Sequence, residues 1–172
     1  MSMPVATERL PPAAHPPAVD AVVRLSFAQR EKSRLRTRLA SGEEIGLMLK
    51  PGTVLADGDC LRLDDGRVVR VEALPESLLE VRAPDPVTLL RIAYHIGNRH
   101  VPLAVAADHL LILPDHVLRA MVESLGGTVS EVTRAFQPET GAYGHSHVHH
   151  AHDDLGHGGR IHDGLSPRTQ DR

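Results

Sequence analysis

The chain has 172 residues, 41% of them hydrophobic, enough for one ordinary domain or two small ones. With aromatics at 2% and no Trp, any core must be built from Leu, Val, Ile and Ala. A net charge of −3 and a pI near 6.4 exclude the basic footprint of a general nucleic-acid binder, and the single cysteine, Cys60, excludes a disulfide framework or a Cys-x-x-Cys site.

Residues 1–18 are rich in proline (Pro4, Pro11, Pro12, Pro16, Pro17) and read as a disordered, polyproline-like arm. The arm lacks the basic start and apolar core of a signal peptide, and no apolar run approaches the roughly 20 residues needed to span a bilayer. A cytoplasmic protein without a membrane partner is expected. Residues 19–75 read as a domain whose pattern, from Ala21 to Val71, has period two. Arg34, Arg36 and Arg38 alternate with Leu35, Thr37 and Leu39, and Ile45, Leu47 and Leu49 alternate likewise. Turn signals at Ser41-Gly42, Pro51-Gly52, Asp57-Gly58 and Asp65-Gly66 separate short strands, which predicts a small all-β domain, an open barrel or sandwich. The arginine face is either a solvated strand face or a docking surface for an acidic partner. Cys60 falls in a strand beside Leu61 and reads as a structural thiol.

From residue 76 to 143, strands and helices alternate. Leu79 and Val81 mark a strand, and Asp85-Pro86 gives a cap and a first-turn proline for a helix carrying Leu89, Leu90, Ala93, Tyr94 and Ile96. Gly97 is placed to end that helix in the left-handed conformation. Val101 to Leu113, interrupted by Ala106-Ala107-Asp108-His109, suits a hairpin, with His109 in its solvated turn. Asp115 caps a second helix bearing Leu118, Met121, Val122 and Leu125, Gly126-Gly127 closes it, and Thr128 to Phe136 reads as a last strand. The order β-α-β-β-α-β predicts a ferredoxin-like, split βαβ domain. The fold class is therefore α+β: a small N-terminal β domain, a ferredoxin-like domain and a flexible tail over 144–172.

Seven of the twelve histidines fall in that tail, at His145, His147, His149, His150, His152, His157 and His162. Neutral imidazole is the commonest protein ligand for borderline divalent metals, so the tail reads as a metal collector. The interleaving of Ser, Val, Ala, Asp and Gly distinguishes it from an uninterrupted affinity tag. His100 is different, because it sits between a helix end and a strand, on a short loop that can hold a ring in fixed orientation. In a two-fold dimer, such a residue near the axis would meet its mate and make a two-imidazole site.

The string Tyr94-His95-Ile96-Gly97-Asn98-Arg99-His100-Val101-Pro102-Leu103 resembles the urease accessory protein E (UreE) family of nickel metallochaperones. So do Pro114-Asp115-His116-Val117-Leu118, Gly141-Ala142-Tyr143-Gly144, Arg34-x-Arg36-x-Arg38-Leu39 and Asp57-Gly58-Asp59. The likeness runs from about Val22 to the tail. It implies a homodimer, an N-terminal domain like a peptide-binding module, and a metal-binding domain whose Gly-Asn-Arg-His histidine, His100, binds Ni(II) between the chains. His116 matches a secondary ligand position, with Pro114 where some members carry a companion histidine. His95 matches a histidine present in several members. The resemblance also implies the urease maturation GTPase and the urease apoprotein with its accessory complex as partners.

Nickel(II) binds nitrogen ligands more tightly than cobalt or iron, and copper(II) more tightly still, so Zn(II) and Cu(II) are expected competitors in vitro. Each ligand must be deprotonated, and binding should weaken below roughly pH 6. No His-Glu-x-x-His, phosphate loop or nucleophile elbow is present, so an enzyme is not expected. The second reading is a metal storage or buffering protein in which the tail is the function.

Overall fold

A computed structural model describes residues 3–11 and 17–140. Ten strands and three helices follow one another: β1 Val5–Arg9, β2 Ala21–Leu25, α1 Phe27–Arg30, β3 Arg34–Arg38, β4 Glu44–Met48, β5 Cys60–Leu63, β6 Val68–Ala73, β7 Pro75–Arg82, α2 Pro86–Gly97, β8 Leu103–Val105, β9 Leu110–Ile112, α3 His116–Ser124 and β10 Thr128–Ala135.

The first six strands form one sheet in the order β2-β6-β5-β1-β4-β3. An antiparallel bridge between Val23 and Leu39, with the Ala40 amide donating to the Val22 carbonyl at 2.7 Å, ties the two outer strands together and curls the sheet into a barrel. The inward positions of the period-two pattern meet inside it: Val23, Leu25, Ile45, Leu47, Leu61, Val69 and Val71 are all buried. Burying each such side chain contributes about 1.5–3 kcal/mol. The expected arm is corrected here. Val5–Arg9 is an interior strand, parallel to β4 (Val5 opposite Gly46) and antiparallel to β5 (Ala6 opposite Leu63). Proline flanks hide it in the sequence, because its backbone partners come from remote segments and only Ala6 of its side chains is buried.

Strands β7 to β10 form a second sheet, fully antiparallel, in the order β10-β7-β9-β8. With α2 between β7 and β8 and α3 between β9 and β10, this is the ferredoxin-like βαββαβ arrangement. Each helix carries its own start signal. The Asp85 carboxylate accepts from the Thr88 amide at 2.9 Å with Pro86 in the first turn, and Asp115 accepts from the amides of Val117 and Leu118 at 2.8 and 2.9 Å. Ile92, Ile96, Leu118 and Val122 pack on Leu79, Val81, Leu110 and Ile112. Gly126, at φ +87°, reverses the chain after α3. Gly127 lies so close beneath the helices that a Cβ there would stand 2.7 Å from Ile92 Cδ1 and Val122 Cγ1.

On the other face of this sheet, Leu78 packs with Phe27 of α1 and with Phe136, the two rings meeting edge to face at 5.2 Å between centroids. Arg30 of α1 is wholly buried beside them. Its Nη1 donates to the Leu55 carbonyl and to Gln137 Oε1, each at 3.0 Å, its Nη2 donates to the Phe136 carbonyl, and its guanidinium stands 5.4 Å from the Phe27 ring centre. Burial pushes the pKa of this arginine below its ordinary value, against the pull of Glu76 and Asp57.

Candidate metal centre

The position of His100 follows from how α2 ends. The amide of Asn98 donates to the Tyr94 carbonyl, that of Arg99 to Ile96 and that of His100 to Gly97, each at 3.0 Å, so the last helical bond is followed by two tighter turns. The left-handed residue that stops the winding is His100, at φ +54°, and not Gly97. Histidine is among the few non-glycine types enriched there, and a strained backbone of this kind is characteristic of functional positions. Arg99 reinforces the end by donating from Nη1 to the His95 carbonyl at 3.1 Å. Val101, half-buried against the core, anchors the far side, and the His100 ring is exposed between the two anchors.

The sheet brings His100 and His116 to one end of the domain. Leu103 is opposite Ile112, His100 lies just before Leu103, and His116 lies just after Ile112 at the start of α3. Both are exposed. The Glu139 amide donates to the Leu103 carbonyl at 2.8 Å, so the chain passes this same end as the described residues finish. His95, half-buried on α2, lies edge-on to Tyr94 at 5.5 Å. Among the described residues, no three His, Cys, Asp or Glu side chains converge into a group that could hold a metal ion. His145, His147, His149, His150 and His152 lie outside the described residues.

Leu90 and Tyr94, read from helical spacing as part of the core-facing stripe of α2, are on the other side of it. Val87, Leu90 and Tyr94 are 65%, 70% and 66% exposed, while Ile92 and Ile96 are buried. The helix is apolar on two faces, which single-stripe reasoning does not separate. The exposed stripe runs along α2 toward the turn that carries His100, and beside it Val105, also exposed, edges an apolar cleft of about 380 Å³ between the start of α2 and the β8–β9 turn. Val87, Leu90, Tyr94 and Val105 thus leave apolar side chains uncovered along this side of the domain.

His109 was expected to be a solvated turn residue and is not. Its Nδ1 lies 2.7 Å from Asp108 Oδ1, its Nε2 lies 3.3 Å from Arg134 Nη1, and its side chain is 14% exposed. The ring thus meets a carboxylate at Nδ1 and a guanidinium at Nε2. The buried carboxylate of Glu80 completes the cluster, with Arg82 Nε at 2.7 Å and Arg134 Nη1 at 3.1 Å. The hydrogen bond from His109, joined by that from Arg82, pulls the Asp108 carboxyl down to about 2, and the Arg82 bond holds Glu80 below the usual carboxylate range. Both ring nitrogens of His109 are occupied structurally, so it is not a free ligand. The signal missed in the sequence is parity, since His109 shares the face of Leu111 rather than lying in open loop.

Residues 6–74 match the profile of the UreE urease accessory protein N-terminal domain, and residues 76–163 that of the UreE urease accessory protein C-terminal domain. The chain belongs to the UreE family. The UreE C-terminal match runs across His100 and His116 and into the histidine-rich segment. Similar relatives include the urease accessory protein UreE of Paraburkholderia xenovorans, 55% identical over 130 residues that are 76% of this chain and 57% of the relative, so the likeness spans little more than half of that protein. The UreE proteins of Ectopseudomonas mendocina and Nitrosococcus oceani are 48% and 46% identical over 84% and 83% of this chain, covering 89% and 88% of their own lengths. Among the described residues, no helix is long and apolar enough to cross a membrane.

Proposed function

We propose that this UreE family member is a nickel-binding metallochaperone that delivers Ni(II) during assembly of the urease active site. In this reading His100 and its counterpart in a second copy of the chain hold the ion at a dimer interface, His116 is a secondary ligand, and the segment from His145 to His152 collects metal. The observation that carries it is the pairing of an exposed, backbone-pinned His100 with an uncovered apolar stripe on the helix that leads to it. Two copies meeting along the His100 end of that stripe would bury apolar surface and bring two imidazoles together, where the described residues of one chain bring no such group together.

Few ligands, all neutral, at a surface contact suit transfer rather than storage. The ion stays open to exchange, and a partner that separates or distorts the interface weakens both bonds at once. The tail contributes by proximity. His145 follows Glu139 by six residues, so no more than about 20 Å of extended chain separates it from the Leu103 end of the sheet. A tethered ligand at such range raises the local metal concentration without a second folded site. Delivery needs a docking partner, and the family points to the urease maturation GTPase and the urease apoprotein with its accessory proteins. The chain has no nucleotide-binding loop of its own.

Calorimetric nickel titration with mass determination tests this on three proteins: the full chain, a truncation ending at Tyr143, and that truncation carrying His100→Ala. The expected result is tight nickel binding by a dimer that survives truncation and is abolished by His100→Ala. Loss of all tight binding with the tail, with His100→Ala changing nothing further, would make the protein a metal buffer instead.

A further inference from the structure

The exit from α2 contains one bond that no helix makes. In a continuing helix the His95 carbonyl would accept from the Arg99 amide, four residues on. That amide donates instead to Ile96, three residues back, at 3.0 Å, so the His95 carbonyl loses its backbone donor. The Arg99 side chain replaces it, with Nη1 donating to that carbonyl at 3.1 Å. One residue thus supplies both donors that turn the chain, its amide to Ile96 and its guanidinium to His95. A cation at this place also meets the negative end of the helix.

The two sides of His100 are held by different chemistry. Downstream, Pro102 disfavours helical backbone at Val101, and Val101 packs half-buried on the core. Upstream, the soft point is Gly97, where a Cβ would find no atom within 4 Å. The bond from Arg99 to His95 spans that glycine and closes the turn across it. Between the two holds lies His100, exposed and at φ +54°.

We infer that Arg99 is a positioning residue for His100: its guanidinium, held on the His95 carbonyl, keeps the turn in the left-handed geometry that presents the imidazole. A guanidinium stays protonated and cannot itself ligate, so Arg99 acts through the backbone. This role rests on the reading of His100 as the metal ligand. In a dimer each ion meets two such turns, so a threefold loss of the competent geometry per chain becomes about ninefold in affinity. Charge alone predicts the opposite sign, because a cation beside the site repels the incoming metal and its removal would tighten binding.

The test uses the full chain carrying Arg99→Met, which keeps an apolar stem without donors, or Arg99→Lys, which keeps a charge and a donor. With a chelator present, NMR couplings and shifts of residue 100 report the sign of its φ. Nickel affinity is then measured by calorimetry in each variant, and again with His100→Ala added, so that binding by the tail histidines cancels. Arg99→Met should admit negative φ at His100 and weaken nickel binding by about tenfold, and Arg99→Lys should recover most of both. With His100→Ala present, Arg99→Met should change binding less than about twofold. An unmoved φ in Arg99→Met, equal or tighter nickel binding, or the same loss with and without His100 would each overturn the inference. If the wild type and His100→Ala bind nickel alike, the ligand reading fails and the positioning of a ligand with it, and the couplings at residue 100 distinguish that failure from a turn that Arg99 does not hold.

Discussion

The left-handed backbone at His100 makes the residue a separable test of strain and ligation. A non-glycine residue in that conformation costs about 1–2 kcal/mol, and alanine keeps the cost because it keeps a Cβ. Glycine removes it but loses about 0.5–1 kcal/mol through its greater freedom in the unfolded chain. His100→Gly should therefore be more stable than His100→Ala by about 0.5–1 kcal/mol, or about 1–4 °C in Tm for a chain of this size. The His100 side chain is exposed, so removing its ring should add little packing loss to either variant. The assay is urea and thermal unfolding of both variants with a chelator present at one protein concentration, paired with nickel titration. Metal binding should fall alike in the two while stability separates them. If His100→Ala proves as stable as His100→Gly or more so, the backbone is not held left-handed there, and the argument that the ring is pre-oriented fails with it.

Replacing Arg30 by Met should destabilise by about 3 kcal/mol or more in urea unfolding, because the buried carbonyls of Leu55 and Phe136 lose their donor at about 1–3 kcal/mol each. Gly127→Ala should cost about 1–3 kcal/mol, since the new methyl would press on Val122 and Ile92 with the Arg82 carbonyl 3.1 Å behind it, and a neutral result would show that the helices can shift. Asp108 titrates at about 2 when folded against an ordinary value of 3.8, so its contribution is complete above about pH 4 and is lost as the pH falls through 2. The stability difference between the wild type and Asp108→Asn, measured by chemical unfolding at successive pH values, should shrink over that window. A constant difference would mean that the His109 and Arg82 contacts are not made.

What was legible in the chain was whatever is encoded locally. Asp85 with Pro86, Asp115 with the apolar spacing after it, and Gly126 each carry their own start or stop signal, so the β-α-β-β-α-β order and the ferredoxin-like sheet could be read from sequence. Features that depend on a remote partner could not. Val5–Arg9 looks like a proline-rich arm because β4 and β5, which give it a place, lie far along the chain. Gly97 was the natural candidate for the left-handed turn, but the helix runs through it and the turns that follow put that burden on His100. Glu80 could not be read as buried from the alternation of Leu79 and Val81, because both faces of β7 are covered there and its carboxylate lies between Arg82 and Arg134. Of the candidate ligands, the convergence of His100 and His116 on one end of the sheet is implicit in the hairpin between them, whereas the exposed stripe of Val87, Leu90 and Tyr94 needed the packing of α2 to be seen.

The interior place of β1 also has a kinetic consequence. Ala6 is synthesised well before either neighbour: its parallel partner, Leu47, follows first, and its antiparallel partner, Leu63, later still. Both contacts span long separations, and such loops close slowly because the entropy of closure must be met before the pairing compensates for it. On the ribosome the first strand made is thus among the last placed. Until it enters, β4 and β5 each present an open edge in what will be the middle of the barrel, and the slow step in folding this domain should be the insertion of β1.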